Sequence, residues 1–194
     1  MENETQIIRR CLNGDDGAFS ELVEQYRERA FWVAYGKVGD RDVARDITQQ
    51  AFLRVYKSLD QFDLDRSFSP WFYQILRNLC VDWHRKNDRR PDLSMEHVGT
   101  QEGGNTSPDA ETHNQEIRER VHDVLKELPE KYRLVLTLRE FEDMDCKDIA
   151  EVVDCNYDTV RWRIHRARQL FKDAWKQKCE KSDDAMNPLM NENH

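Results

Sequence analysis

Apolar residues recur every three or four positions along most of this 194-residue chain. That spacing places them on one face of an α-helix, and no segment shows the clear alternation of a half-buried strand. The stripes predict four helices before residue 90 and four more after residue 111, so we expect an all-α fold. The clearest stripes are Phe19, Leu22, Tyr26 and Ala30, then Val43, Ile47, Ala51 and Val55, then Trp71, Ile75, Leu79 and Trp83, then Val121, Val124 and Leu128, and finally Val160, Ile164, Ala167 and Phe171.

Residues suited to helix N-termini stand ahead of several of these stripes. Asp15 or Asp16 is placed to cap the second helix, and Asp40 the third. Ser69 followed by Pro70 is a cap with proline at the first helical position, which predicts the start of the fourth. Asn156 is placed in the same way before the last helix.

Residues 91–111 interrupt the helical pattern. They are poor in large apolar side chains, show no periodicity and contain two glycines in a row as well as a Ser-Pro pair. A connection of this length is uncommon inside one compact domain. We therefore expect two small helical domains, residues 1–90 and 112–178, joined by a flexible acidic linker over 91–111, with a disordered tail over 179–194.

The net charge of −8 is unevenly distributed. Residues 91–115 hold five acidic residues and no lysine or arginine, whereas Tyr157–Lys178 holds seven basic residues and two acidic ones. A positive field is therefore local to the last helix, and the overall acidity does not exclude nucleic acid as a partner.

Composition narrows the other possibilities. No apolar run approaches the ~18 residues of a membrane span, and the acidic N-terminus has no apolar signal core. The five cysteines form no CxxC pair. We expect a cytoplasmic protein that does not insert into a membrane and has no metal site, no cofactor and no catalytic constellation.

The strongest motif is a helix-turn-helix in the C-terminal domain. A helix near 146–153, expected to bury Ile149, Ala150 and Val153, is followed by a polar turn over 154–156 and by the basic helix. The apolar stripe of that helix leaves its arginines facing outward, and such a helix fits the DNA major groove, where Arg can grip guanine bidentately. A solvated basic helix of an ordinary bundle is the alternative interpretation.

Two surfaces of the N-terminal domain are further candidates. The loop 60–68 contributes aromatic residues just before a helix with a basic outer face, a combination suited to single-stranded nucleic acid because bases stack and phosphates pair with cations. The outer face of the third helix sets Leu53 among amides and charges, which suits either a protein contact or plain solvation.

These segments, in this order, resemble bacterial RNA polymerase sigma factors of the extracytoplasmic-function group, over roughly residues 15–174. Residues 46–56 resemble the core-polymerase-binding helix of that family, and residues 68–82 the helix that handles the −10 promoter element. Residues 128–139, followed by 148–168, are similar to its −35-binding domain.

The resemblance implies a dissociable specificity subunit, not an enzyme, that directs promoter-specific initiation and aids promoter melting. Its implied partners are core RNA polymerase, through the β′ clamp helices and the β flap, promoter DNA, and an anti-sigma factor. The face that docks on the clamp helices would be Asp46, Gln49, Gln50 and Leu53.

The resemblance also assigns two sets of DNA contacts. The −35 set is Tyr157, Thr159, Arg161, Trp162, Arg163, His165, Arg166, Arg168 and Lys172, with Arg161, Trp162 and Arg166 nearest the base edges. The −10 set is Phe62, Asp63, Arg66, Ser67, Phe68, Arg77, Asn78, Asp82, Arg85 and Lys86, with the loop from Phe62 to Phe68 holding a flipped base.

Two other functions are alternatives to this one. A stand-alone helix-turn-helix regulator would explain the C-terminal motif but not the aromatic loop and basic helix before the linker. A recombinase or nuclease would need clustered catalytic carboxylates or an activated nucleophile, and the acids of this chain are spread over exposed helical faces.

Overall fold

The structure is a computed structural model that describes residues 4–88 and 120–185. Within those two ranges all regular structure is helical, which confirms the all-α prediction. The helices are α1 (Glu4–Leu12), α2 (Asp16–Val38), α3 (Arg41–Ser58), α4 (Phe68–Asp88), α5 (residues 120–127), α6 (Glu130–Phe141), α7 (Cys146–Val153) and α8 (Tyr157–Ala185), with a 3-10 turn at Leu59–Gln61.

The ends of α2 and α3 are set by local chemistry. Asp15 caps α2 and Asp40 caps α3, each accepting hydrogen bonds from main-chain N–H groups of the first turn. Between the two helices, Gly39 adopts a left-handed φ of 76° and donates its N–H to the carbonyl of Tyr35 at 2.9 Å. Glycine takes this conformation without the strain of a Cβ. Both caps were predicted from the sequence.

Helix α4 differs from its prediction at its start and in its buried face. It begins at Phe68, so Pro70 lies within the first turn, where no main-chain N–H is needed. The fully buried residues are centred on Phe72, Leu76 and Cys80. Of the predicted stripe, Leu79 is buried, while Trp71, Ile75 and Trp83 are only partly buried at the edge of the core.

The helix-turn-helix forms as predicted, with changes in its core. Asp145 caps α7, and Asp154 ends it in the left-handed region at φ 54°. Ile149 and Val152 are fully buried, whereas Ala150 and Val153, predicted to be buried, are only half-buried.

The two halves of the molecule pack on each other. Helix α6 contacts α2, helix α7 contacts α4, and buried residues of both halves form one continuous cluster. Polar and aromatic contacts stabilise this junction. Lys37 forms an ion pair with Glu130, and Arg133 donates a hydrogen bond to the carbonyl of Gly36. Lys126 donates to the hydroxyl of Tyr35 at 2.7 Å, and the rings of Trp32 and His122 stack with their centroids 3.8 Å apart.

Several predictions concern residues beyond the described ranges. The linker 91–111, the start of the second domain at 112–119 and the tail beyond residue 185 all lie outside them. Helix α8 continues to Ala185, seven residues past the predicted end of the second domain at residue 178.

Candidate nucleic-acid interface

Helix α8 presents the basic surface predicted for the C-terminal half. Asn156 caps it by accepting a hydrogen bond from the N–H of Thr159 at 2.8 Å. Val160, Ile164 and Ala167 are buried on its inner side, which turns the intervening side chains outward. Of the predicted −35 residues, Tyr157, Arg161, Trp162, His165, Arg166, Arg168 and Lys172 are exposed, and Thr159 and Arg163 are half-buried.

The first turns of α8 carry exposed aromatic rings. Trp162 is 58 % exposed, and its ring leans on that of Tyr132 with centroids 5.9 Å apart. The guanidinium of Arg161 lies over the ring of Tyr157 at 5.8 Å. Such contacts restrict the side chains before any ligand arrives, which lowers the entropy lost on binding.

Two arginines of the predicted −35 set are held by protein groups. Arg163 directs Nη1 toward the sulfur of Cys155 at 3.6 Å, which draws it back to the turn. Arg168 donates from Nε and Nη2 to Oε1 of Glu140 at 2.9 and 2.6 Å. Glu140 therefore neutralises one of the charges on this face.

The outer face of α4 is polar and partly paired. Asn78, Arg85 and Lys86 are exposed, and Arg77 and Asp82 are half-buried. Arg85 donates to a carboxylate oxygen of Asp82 at 2.6 Å, one turn away. This face continues from the start of α4 toward its C-terminus, as the sequence predicted.

The two phenylalanines of the predicted base-holding loop are placed differently. Phe68 is 1 % exposed and Phe62 is also buried, so both rings pack into the core and neither offers an exposed face for stacking. Their rings pack against Trp71, whose ring centroid lies 4.9 Å from that of Phe62 and 5.7 Å from that of Phe68. Trp71, half-buried, is the aromatic side chain that borders the loop.

The loop is held by hydrogen bonds among its own residues. The carboxylate of Asp63 accepts the N–H of Asp65 at 3.0 Å, and the N–H of Arg66 donates to the carbonyl of Asp63. Arg66 and Ser67 are exposed at its end. The loop thus places the guanidinium of Arg66 and the hydroxyl of Ser67 beside the N-terminus of α4.

A cleft of about 200 Å³ lies between the start of α4 and helix α7. The guanidinium of Arg66 forms an ion pair with Glu151 across its mouth. Burial and then the neighbouring Asp145 and Glu151 carboxylates raise the pKa of Asp148. The cleft is lined by Arg66, Ser67, Pro70, Trp71 and Gln74 on one side and by Asp148 and Glu151 on the other.

Helix α3 presents the third predicted surface. Asp46, Gln49, Gln50 and Leu53 are all exposed, with Leu53 at 59 %. Tyr56, which the sequence did not single out, is 60 % exposed beside them. An i, i+3 spacing from Leu53 was the signal for it, since that spacing shares one helical face.

Within residues 4–88 and 120–185, no group of three or more His, Cys, Asp or Glu residues could hold a metal ion. None of the helices there is long and apolar enough to cross a membrane. Cys80 is buried, and burial raises the pKa of its thiol to about 11.

Two family models match the chain, Sigma-70 region 2 over residues 22–90 and Sigma-70 region 4 over residues 118–171. The RNA polymerase sigma-H factor of Pseudomonas aeruginosa is 35 % identical over 200 residues, covering 99 % of this chain and 98 % of that protein. The ECF RNA polymerase sigma factor SigW of Bacillus subtilis is 31 % identical over 175 residues, covering 85 % and 92 %.

Among solved structures, the sigma factor RpoE of Bartonella quintana, in complex with the anti-sigma factor NepR, superposes with a TM-score of 0.65. It is 20 % identical, and the match covers 81 % of this chain and 96 % of that one. At this identity the likeness establishes the helical fold and nothing finer.

Proposed function

Because the chain belongs to the extracytoplasmic-function group of bacterial RNA polymerase sigma factors, we propose how its surfaces divide the work of promoter recognition. As a sigma factor it binds core RNA polymerase and directs it to promoters through −35 and −10 elements. In this proposal residues 1–90 hold the polymerase and the −10 element, residues 112–178 hold the −35 element, and residues 91–111 connect them. Membership of this family accounts for the helix-turn-helix, so the alternative function, a stand-alone transcriptional regulator, is not needed to explain it.

The −35 element is assigned to helix α8. A major groove about 12 Å wide admits one α-helix, and α8 carries an exposed basic side opposite a buried apolar stripe. Arg161 and Arg166 would meet base edges with Trp162 between them. The remaining members, Tyr157, Thr159, Arg163, His165, Arg168 and Lys172, would set position through phosphates and sugars, which carry no sequence information directly.

The −10 element is assigned to the cleft at the start of α4. Extruding a base costs a few kcal/mol, and stacking on an aromatic ring returns about 1–3 kcal/mol, so a ring and further polar contacts are both needed. Trp71 supplies the ring, Arg66 the cation and Ser67 a hydroxyl, while Phe62 and Phe68 support Trp71 from the core. Upstream nucleotides would follow Arg77, Asn78, Asp82, Arg85 and Lys86 along α4.

Core polymerase is assigned to the outer face of α3. Leu53 and Tyr56 are large apolar side chains left exposed there beside Asp46 and the amides Gln49 and Gln50. An apolar centre with a polar rim is the usual make-up of a protein interface. The β′ clamp helices are the proposed partner of this face, with the β flap contacting the C-terminal half.

An anti-sigma factor is a further proposed partner, because a structural neighbour of the same fold is bound to one. The proposed location is the cytoplasm, where RNA polymerase and promoter DNA are found. The chain would contribute specificity and strand capture, while nucleotide polymerisation stays with the core enzyme.

The observation that carries this proposal is the conjunction of two DNA-suited surfaces and one polymerase-suited surface on one chain. It is tested by run-off transcription with bacterial core RNA polymerase on a library of promoter fragments. We expect transcripts that depend on the protein and share one −35 and −10 pair. Duplex binding by the protein alone, without transcription, would contradict the proposal.

The matched variants are Asp46→Arg combined with Leu53→Ala, and Glu24→Arg as the control. Asp46 and Glu24 are both exposed acids, but Glu24 lies on α2, away from the proposed docking face. The double variant should lose association with core polymerase, and the control should keep it. Equal behaviour of the two would remove the polymerase assignment from α3.

A further inference from the structure

Helix α8 places one large apolar ring within its basic outer side. Trp162 is 58 % exposed, whereas Val160 and Ile164 of the same stretch are buried. Its exposed neighbours on the outer side include Arg161 and Arg166. The indole carries no charge, so it cannot pair with a phosphate as these arginines can, and its exposed part contributes no burial energy to the fold. An apolar surface left in water on a side that faces DNA indicates an apolar partner in the groove.

Tyr132 of α6 supports this ring from one side. The two ring centroids are 5.9 Å apart, and the ring planes are inclined by 55°. Tyr132 is itself buried, in the apolar cluster that joins α6 to α8 through Leu128, Leu136 and Ala167. A ring that leans on a packed residue loses less rotational freedom when a ligand arrives. The rest of the indole surface is therefore presented outward in a restricted range of orientations.

The major groove offers such a ring one apolar group. Base pairs present hydrogen-bond donors and acceptors there and, in thymine, a C5 methyl group. A tryptophan side chain has a single donor, Nε1, and no acceptor, so it cannot form the bidentate pair by which arginine selects guanine. Contact between an apolar side chain and the thymine methyl is a known mode of base readout. The chemistry of the indole therefore matches a methylated pyrimidine better than any other base.

We propose that Trp162 is a specificity-determining residue that reads a pyrimidine C5 methyl group in the −35 element, which unmodified DNA supplies as thymine. This inference rests on the −35 role proposed for α8. Consecutive helical residues advance by about 1.5 Å, less than the roughly 3.4 Å between base pairs. The methyl group therefore belongs to a base pair at or beside the one that Arg161 contacts. Its burial against the indole, and not a hydrogen bond, supplies the discrimination.

The test removes single methyl groups from the DNA. Each thymine of the −35 element recovered from the transcription library is replaced in turn by deoxyuridine, which keeps the hydrogen-bonding groups of thymine and lacks only its methyl. The protein is the full chain bound to core polymerase, and its affinity for each fluorescent promoter fragment is measured at a low temperature at which the duplex stays closed. We expect uracil at one position to weaken binding by about fourfold, the value of burying one methyl group.

A Trp162→Ser variant separates a contact made by this ring from an effect of uracil on the shape of the duplex. With the indole gone, thymine and uracil at the sensitive position should be bound equally. Trp162→Phe keeps an aromatic surface and should retain part of the preference for thymine. The matched control is Leu12→Ser, which removes an exposed apolar side chain from the end of α1 and should keep the full preference.

The same methyl group is carried by 5-methylcytosine, so a second set of promoters replaces each cytosine of the −35 element in turn by this base. Sensitivity to uracil that requires Trp162 identifies thymine as the source of the methyl group. A gain on methylating one cytosine that likewise requires Trp162 identifies the modified cytosine as the source. Insensitivity to every methyl substitution, or equal sensitivity in the wild type and in Trp162→Ser, would overturn the proposal.

An Arg161→Ala variant, measured on promoters with single changed base pairs in the −35 element, separates this inference from the function on which it rests. If that variant loses discrimination at one base pair while no methyl substitution matters, α8 reads the −35 element and Trp162 does not read a methyl group. If neither the arginine variant nor any methyl substitution changes binding, the −35 assignment itself fails, and the inference with it.

Discussion

The two surfaces of this sigma factor that are suited to DNA differ in how accessible they are to a ligand. Helix α8 projects its arginines into solvent, with Tyr132 and Tyr157 already supporting Trp162 and Arg161. The cleft of α4 has its ring and cation in place but is walled by Asp148 and Glu151 of the other half. Reading a duplex needs only a convex helix, whereas capturing a strand needs a concave site, and a concave site can be occupied by the chain itself.

The halves also use their aromatic residues differently. Around α4 most rings lie in the core, including Phe68 and Phe72, and Trp71 alone of the cleft residues keeps an aromatic face toward the space. On α8 the ring of Trp162 is mostly exposed. Aromatic side chains therefore serve mainly stability around α4 and recognition at the start of α8, and substitutions should separate the two uses.

The largest expected effect is on folding. Phe68→Ala should lower the free energy of unfolding by about 3–5 kcal/mol, because it empties a buried ring site. Trp162→Ala, at an exposed position, should change it by less than about 0.5 kcal/mol. Urea denaturation followed by circular dichroism measures both. A similar loss of unfolding free energy in the two variants would contradict the contrast between buried rings near α4 and an exposed ring on α8.

The next effect concerns sequence recognition by α8. Arg161→Ala should cost about 1–3 kcal/mol of discrimination at one −35 base pair, the value of a bidentate contact to guanine. Arg27→Ala, at an exposed arginine of α2, is the control. The difference is measured by transcription from a set of promoters, each of which carries one changed base pair in the −35 element. Uniform weakening at all positions would place Arg161 on phosphates instead.

The packing of the two halves on each other should depend on pH through Glu142, which faces Arg29 from α2, Tyr73 from α4 and its neighbour Asp143. Burial raises the pKa of Glu142 to about 7, and separation of the halves would return it toward its ordinary value of 4.5. The packed form then binds the extra proton, so its stability falls as pH rises from about 5 to about 8.

The radius of gyration from small-angle X-ray scattering should accordingly increase over that pH range. Glu142→Gln, which cannot ionise, should give a radius that no longer changes with pH. A wild-type radius that is constant over the range, or one that decreases, would show that Glu142 does not report on the packing of the halves.

The smallest effect concerns the ion pair between α6 and α8. Glu140→Gln releases Arg168 and removes a negative charge from the DNA side, so duplex affinity should rise slightly. Exposed pairs of this kind are worth about 0.2–1 kcal/mol, a few-fold in affinity. The gain should disappear when Arg168→Ala is added. If the double variant still binds the duplex more tightly, the gain comes only from the lost negative charge and not from the release of Arg168.

The helices and their caps were predictable because they depend on neighbouring residues. Asp15, Asp40 and Asn156 each accept main-chain N–H groups within the next turn, and the stripe of α8 is unambiguous. The −35 surface followed from that stripe, because a buried inner side leaves the opposite side exposed.

The start of α4 was harder because it is apolar almost all round. Phe68, Trp71, Phe72, Tyr73 and Ile75 satisfy more than one helical stripe, so periodicity cannot choose which ring faces the core. Only the packing of α2 and α3 against this helix makes the choice, and it buries Phe68 in place of Trp71.

Packing between the halves left no local signal at all. Glu142 and Arg29 are far apart in the chain, and nothing near either of them marks it as a partner of the other. A buried carboxylate at the end of a helix is visible only once the tertiary structure brings α2 and α4 over it. The α7 wall of the cleft was therefore unpredictable from sequence patterns.

The most direct test of the account compares the free chain with the chain bound to core polymerase, using a short single strand that carries the −10 element as ligand. If polymerase draws the halves apart, the complex should bind the strand at least about tenfold more tightly than the free chain. Equal affinity of the two forms would contradict the account, because the cleft would then be open without polymerase.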